Sequence, residues 1–243
     1  LKTLVVIPAR FASTRFPGKP LALIAGKPMI QHVWERCSQA QGVDRVIVGT
    51  EDERIVAGCK AFGGECELTS ANHPSGTDRV AEIAARYADF ECVLNVQGDE
   101  PGIAPDTVSA VVKALQMESV QISTAMSVLD NDPDLQNPNV VKVVTSLSGK
   151  ALYFSRCPIP YLRDAQTTEK PVYYRHMGIY GFRRSVLFEV TQLPMSPLER
   201  AESLEQLRWM QSGYMIQCVN VANFSIGVDT PEDLKSVETA FQA

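Results

Sequence analysis

Leu4-Val5-Val6-Ile7-Pro8-Ala9-Arg10-Phe11-Ala12-Ser13-Thr14-Arg15-Phe16-Pro17-Gly18-Lys19-Pro20 joins a short, apolar, β-branched run to a polar loop. An amphipathic stretch from Pro28 to about Ala40 follows it. The same alternation recurs downstream. Val46–Val48 reads as a strand, Asp52–Phe62 as a helix, Thr77–Tyr87 as a helix, Cys92–Val96 as a buried strand and Pro105–Leu115 as a helix. Apolar strands alternating with helical patterns predict βαβ units around a mostly parallel sheet. Ligands of such sheets bind beyond the carboxyl ends of the strands, so the loops after the first and fourth strands are expected to carry the chemistry.

The second half is less regular. Val140–Val144, Ala151–Phe154, Gly178–Phe182 and Met215–Val219 read as strands and predict an added antiparallel layer. Ser196-Pro197-Leu198-Glu199 has the pattern of an N-cap, a proline at the first helical position and a capping-box glutamate. Thr230-Pro231-Glu232-Asp233 repeats it with an aspartate in the last place. No repeat or interdomain linker interrupts the 243 residues, which predicts one continuous α/β domain over 1–243 with an embellished second half.

Composition narrows the function. Formal charge is −5 and no basic stretch exceeds a pair, which argues against nucleic acid as partner. A phosphate-bearing small molecule needs only a few local cations. No apolar run approaches the roughly 20 residues of a membrane span. Six cysteines, none in a Cys-x-x-Cys pair, read as reduced thiols and fit a cytoplasmic protein.

Three segments carry candidate chemistry. The first loop holds Arg10, Arg15 and Lys19 with the hydroxyls of Ser13 and Thr14. Both a solvated polar loop and a phosphate cradle fit that composition, and no Walker A or G-x-G-x-x-G pattern is present. Asn95-Val96-Gln97-Gly98-Asp99-Glu100-Pro101 closes an apolar strand and offers Asp99 as a ligand for a hard cation such as Mg²⁺. An ordinary turn with a capping aspartate fits Gly98-Asp99 equally. Gly227-Val228-Asp229-Thr230-Pro231 places a second acid ahead of a capped helix, where it is either a metal ligand or a flank of the cap.

Taken together these segments resemble the KDO cytidylyltransferases (CMP-KDO synthetases), which activate 3-deoxy-manno-octulosonate (KDO) for lipopolysaccharide assembly. Further blocks match in order: Gly26-Lys27-Pro28-Met29, His73 to Arg79, Asn95 to Pro101, Val141 to Val144, Ala151 to Arg156, Arg175 to Tyr180, Leu204 to Arg208 and Gly227 to Asp233. The resemblance implies a Rossmann-like nucleotidyltransferase fold, CTP and KDO as substrates, Mg²⁺ as cofactor and a homodimer formed through second-half strands (about 140–220), which also contribute the sugar pocket. It further implies that Arg10, Ser13, Arg15 and Lys19 meet the triphosphate and that Arg79 sits near the cytidine. Asp99 and Asp229 bind Mg²⁺, with Lys19 completing the catalytic set. Gln97, Arg156, His176, Tyr180, Glu205 and Gln206 line the KDO pocket. Departures from the family pattern are Glu51 for the usual aspartate, Phe182 for a tyrosine, and Asn223–Ile226 in place of a stretch with Pro and Gly. The alternatives left open are 8-amino-KDO or another acidic sugar as acceptor, and an inactive nucleotide-binding regulator.

Overall fold

The computed structural model describes residues 1–12, 16–130, 132–164, 171–222 and 227–242. Strand β1 (Thr3–Ala9) is its centre. Leu4, Val5, Val6 and Ile7 are all fully buried, because both faces of the strand are covered. A central parallel strand therefore reads as an unbroken apolar run rather than an alternating one. Each of these side chains contributes roughly 1.5–3 kcal/mol of burial.

After a 3-10 turn at Lys19–Leu21 come a small ribbon, β2 (Leu23–Ile24) and β3 (Lys27–Pro28), and helix α1 (Met29–Ser38). Then follow β4 (Arg45–Thr50), α2 (Glu53–Ala61), β5 (Cys66–Leu68), α3 (Gly76–Ala85), β6 (Cys92–Asn95) and α4 (Pro105–Leu115). The second half supplies β7 (Ile122–Val128), α5 (Asp132–Gln136), β8 (Lys142–Thr145), β9 (Ala151–Ser155) and the long β10 (Tyr174–Arg183). Helices α6 (Arg184–Thr191), α7 (Pro197–Glu202) and α8 (Gln206–Gln211), strand β11 (Ile216–Asn220) and helix α9 (Pro231–Gln242) complete it.

The main sheet runs β11-β7-β10-β6-β1-β4-β5, and the hairpin β8–β9 joins it through β10. β1 pairs in parallel with β4 on one side and β6 on the other. The chain thus steps outward from β1 and then returns to its opposite flank. That reversal leaves a crevice beyond the carboxyl ends of β1 and β6. β10 runs antiparallel to β6, β7 and β8, so the expected antiparallel addition is built onto the edge of the parallel part.

Both predicted caps are made. Ser196 accepts from the Glu199 N–H while Glu199 accepts from the Ser196 N–H. Thr230 accepts from the Asp233 N–H at 3.2 Å, and Asp233 accepts from the N–H groups of Asp229 and Thr230 at 3.0 and 2.8 Å. The second cap fixes the backbone that carries Asp229.

Candidate active site

The loop after β1 closes on itself before reaching Lys19. The Gly18 N–H donates to the Phe11 carbonyl at 2.9 Å, and Gly18 takes φ +74°, a conformation costly for residues with a Cβ. Lys19 then turns inward. Its Nζ donates to Asp99 Oδ2 at 2.7 Å, the Val228 carbonyl at 2.9 Å and Asp229 Oδ1 at 3.3 Å. Three chain segments, far apart in sequence, meet on one ammonium.

Asp99 reaches that point through a tight turn after β6. A Cβ on Gly98 would lie 3.2 Å from the Pro8 carbonyl oxygen and 3.2 Å from Ile30 Cδ1, so glycine lets the two loops close up. The Val228 N–H donates to the Asp99 carbonyl at 2.8 Å and ties the Asp229 segment to the same turn.

Two cavities flank this junction, and Asp99 lines both. The smaller, about 290 Å³, is walled by the β1 loop and the β6 turn, including Arg10, Lys19, Gly76 and Gln97. Arg10 is steered by a 2.8 Å bond from its Nη2 to the His73 carbonyl. The larger cavity, about 740 Å³, is walled by Asn137, Asn139, Arg156, Arg175, His176, Gly178 and Asp229, among others.

A bulge in β10 between Met177 and Tyr180 shapes the larger cavity. Irregularities of this kind re-aim side chains next to binding sites. Thr124 fills the irregularity, donating to the Ile179 carbonyl at 2.6 Å and standing 2.9 Å from His176 Nε2. With its proton used there, the hydroxyl accepts from His176, which assigns the Nε2–H tautomer from the network. Burial depresses the His176 imidazole to about 3, so it is neutral. Glu100 sits beside Gly178, whose N–H it accepts. Burial, and then the neighbouring Asp99 charge, push its carboxyl up to about 8.

Arg156 is held by three backbone carbonyls: Nε to Glu202 at 2.6 Å, Nη1 to Pro138 at 2.9 Å and Nη2 to Ser203 at 3.3 Å. A guanidinium has five N–H groups, so two remain for a ligand. Their planar fork suits a carboxylate.

The structure therefore gathers Arg10, Lys19, Gln97 and Asp99 at one cavity and Asp99, Arg156, His176 and Asp229 at the other. Four other candidates stand behind these walls. Arg79 is fully buried, with Nη2 2.7 Å from Glu51 Oε2, so the unusual Glu51 is its ion-pair partner. Tyr180 is packed edge-on against Trp209, and its hydroxyl has no hydrogen-bond partner among the described residues. Burial, then the nearby Glu205 charge, raise the Tyr180 phenol. Glu205 accepts from Thr77 Oγ1 at 2.8 Å and Ser75 Oγ at 3.3 Å, at the start of α3, and burial raises its carboxyl. Gln206 is buried at the start of α8. Ser13, Arg15 and the Asn223–Ile226 stretch lie outside the described residues.

Known proteins of similar sequence identify the family. A family model described as cytidylyltransferase matches residues 4–217. A 3-deoxy-manno-octulosonate cytidylyltransferase of Syntrophotalea carbinolica is 50% identical over 240 residues, covering 96% of each chain. Its counterpart in Solibacter usitatus is 48% identical and covers 100% of this chain and 95% of its own. The chain belongs to the 3-deoxy-manno-octulosonate cytidylyltransferase family. A solved CMP:2-keto-3-deoxy-manno-octonic acid synthetase complexed with CTP superposes with TM-score 0.94 at 44% identity, covering 100% of this chain and 99% of that one. The nucleotidyltransferase fold expected from sequence is thereby established.

Sequence reasoning assigned no role to Asn137, Asn139, Lys142 or Arg175, and quoted Glu100 only as part of a motif. The asparagines sit in Asn137-Pro138-Asn139, which signals a turn and nothing more. Lys142 did leave a signal, as a lone charge inside Val140-Val141-Lys142-Val143-Val144.

Proposed function

We propose that this chain transfers CMP from CTP to KDO, giving CMP-KDO and pyrophosphate and so activating the sugar acid for lipopolysaccharide synthesis. The observation that carries this reading is Asp99, which lines both cavities and shares Lys19 with Asp229. A nucleotide in the smaller cavity and a sugar acid in the larger would bring their reacting atoms together at that point.

The chemistry is an in-line displacement. The anomeric hydroxyl oxygen of KDO bonds to the α-phosphorus as the bond from that phosphorus to the bridging oxygen breaks. Pyrophosphate departs, and the hydroxyl proton passes to solvent. Catalysis of such a step is mostly positioning and charge stabilisation. Arg10 and Lys19 meet the triphosphate, with Ser13 and Arg15 from the same loop. Gln97, expected in the sugar pocket, lines the smaller cavity instead and would meet the nucleotide there. Arg156 offers its two remaining N–H groups to the sugar carboxylate. His176, neutral and fixed as its Nε2–H tautomer, offers the other nitrogen as an acceptor for a sugar hydroxyl. Tyr180 and Glu205, with Gln206, support the cavity from behind. Arg79, ion-paired with Glu51, would act on the cytidine only from behind the wall of the smaller cavity.

We further propose Mg²⁺ as the cofactor. Two carboxylates converging on one ammonium provide oxygen ligands of the kind a hard cation takes. Among the described residues no group of three or more potential metal-ligating side chains forms, which suits an ion completed by substrate phosphates. Asp99 and Asp229 would hold it, and its charge would stabilise the α-phosphate and ease ionisation of the attacking hydroxyl. One domain over 1–243, a homodimer and a cytoplasmic location complete the proposal. Exposed apolar side chains of the second half, among them Leu147, Leu152 and Tyr161, support an interface there. Free thiols on all six cysteines suit a reducing compartment. No helix of the described residues is long and apolar enough to cross a membrane.

The test is pyrophosphate release from CTP, UTP, ATP and GTP with KDO, each with Mg²⁺ and with chelator. Release from CTP alone, abolished by chelator, is expected. Equal use of all four nucleotides, or none, would overturn the assignment.

A further inference from the structure

Lys142, the first residue of β8, is fully buried. Its ammonium donates to the Asn137 carbonyl at 2.9 Å and the Arg156 carbonyl at 2.6 Å, and it forms no ion pair with any carboxylate among the described residues. A buried charge without a counter-charge is costly, and natural chains keep one only where something offsets it. Burial pushes its pKa below the usual lysine range; Arg156 adds to the depression, while Cys157 and Glu202 oppose it. Glu202 is the nearby acid. Its carboxylate, however, is engaged by Ser155 Oγ at 2.7 Å and the Arg156 N–H at 2.9 Å.

The two carbonyls that Lys142 grips belong to separate walls of the larger cavity. Asn137 begins the turn after α5, and Arg156 follows β9. Arg156 crosses the same gap in the other direction, from Nη1 to the Pro138 carbonyl. Two cations therefore staple the 137–138 segment to the end of β9. Neither brings a carboxylate into the cavity to compete with an acidic ligand.

We infer that Lys142 is a positioning residue for the sugar acid: by holding the Asn137 and Arg156 carbonyls it aims the Arg156 guanidinium, and its charge lies behind a wall meant for an anion. The inference rests on the proposed reading of the larger cavity as the sugar-acid site. It adds a determinant of selectivity for a carboxylate. Without the ammonium, the two carbonyls lose their donor and the fork loses its aim. With it, a carboxylate gains more from the wall than a neutral group in its place.

The experiment compares the full-length wild-type protein with K142M and K142Q, the glutamine retaining hydrogen-bond donors without charge. KM for KDO, KM for CTP, kcat and inhibition by the methyl ester of KDO are measured, with melting temperature and CTP affinity as controls for folding. The KM for KDO is expected to rise roughly 10- to 100-fold in K142M, the range set by leaving buried acceptors unsatisfied. KM for CTP is expected to stay within about twofold, and the preference for the acid over its ester to shrink. K142Q is expected to fall between wild type and K142M, and it carries the test if K142M does not fold. Parallel rises in both KM values, or a lower melting temperature with unchanged KM for KDO, would make Lys142 merely structural and overturn the inference. Wild-type protein that turns over no KDO would defeat the proposed function itself, and this inference with it.

Discussion

Lys19, at the junction of the two cavities, and the pair Lys142–Arg156, at the larger one, handle positive charge in opposite ways. Lys19 is already neutralised by Asp99 and Asp229. Lys142 and Arg156 are satisfied by backbone carbonyls and take no acid partner among the described residues. On the proposed reading the first arrangement would be exchanged, with acids and cation separating to take up a triphosphate and a metal. The second is tied to backbone carbonyls, which on the same reading leaves its charge for a ligand that brings only one carboxylate. Exchangeable partners suit the reacting centre, and fixed partners suit selection.

That contrast can be broken most sharply at the exchangeable end. D99N and D229N are expected to lower kcat by about 10²–10³ or more, the loss typical of removing one preorganised transition-state contact. CTP binding without metal is expected to change little, read by titration calorimetry. Retained turnover in either variant would remove the acid pair from the reacting centre. R156K sharpens the fixed end. A lysine cannot reproduce the planar fork or its three carbonyl bonds, so KM for KDO is expected to rise roughly tenfold or more while KM for CTP holds.

Y180F is a smaller test. It deletes a buried hydroxyl that has no partner among the described residues, so thermal stability is expected to hold or rise slightly, and kcat/KM to stay within about threefold because Tyr180 acts from behind the wall. A large loss of kcat/KM at unchanged stability would place the hydroxyl in the cavity with the substrate.

The smallest effect concerns pH. His176 titrates near 6.5 when unfolded and about 3 when folded, so between those values the unfolded chain holds the extra proton. Its contribution to stability is complete above about 6.5 and is lost as pH falls through the window, by at most about 1.4 kcal/mol per pH unit. H176Q is expected to flatten the fall in melting temperature between pH 6.5 and 5. An identical acid profile in both proteins would contradict the neutral, buried imidazole.

The parallel half was more legible than the antiparallel half, for a physical reason. β1, β4 and β6 announce themselves because burial on both faces demands apolar runs. β7 does not: Ser123, Thr124 and Ser127 are buried within it. Ser123 and Thr124 are tolerable there because they bond the Val111 and Ile179 carbonyls. Helix α6 also escaped the reading, since no side chain caps its start. At the site, Lys19, Asp99 and Asp229 were legible as a set only through the family pattern, but the structure then brings them onto one ammonium. Arg79, expected near the cytidine, and Tyr180, Glu205 and Gln206, expected in the sugar pocket, stand behind the walls, a distinction set by tertiary packing that no local pattern records. The wall built by Asn137, Asn139 and Lys142 depends on bonds between α5, β8 and β9, and such contacts leave little trace in sequence.

The central claim is that a sugar acid in the larger cavity and CTP in the smaller one react at Asp99. The most direct measurement offers KDO, 8-amino-KDO and sialic acid separately to the wild-type protein with CTP and Mg²⁺, and follows pyrophosphate release. The account predicts release with KDO and none with sialic acid; preference for the 8-amino sugar would keep the chemistry and change the acceptor. No release with any of the three would contradict the account and leave a nucleotide-binding protein without transferase activity.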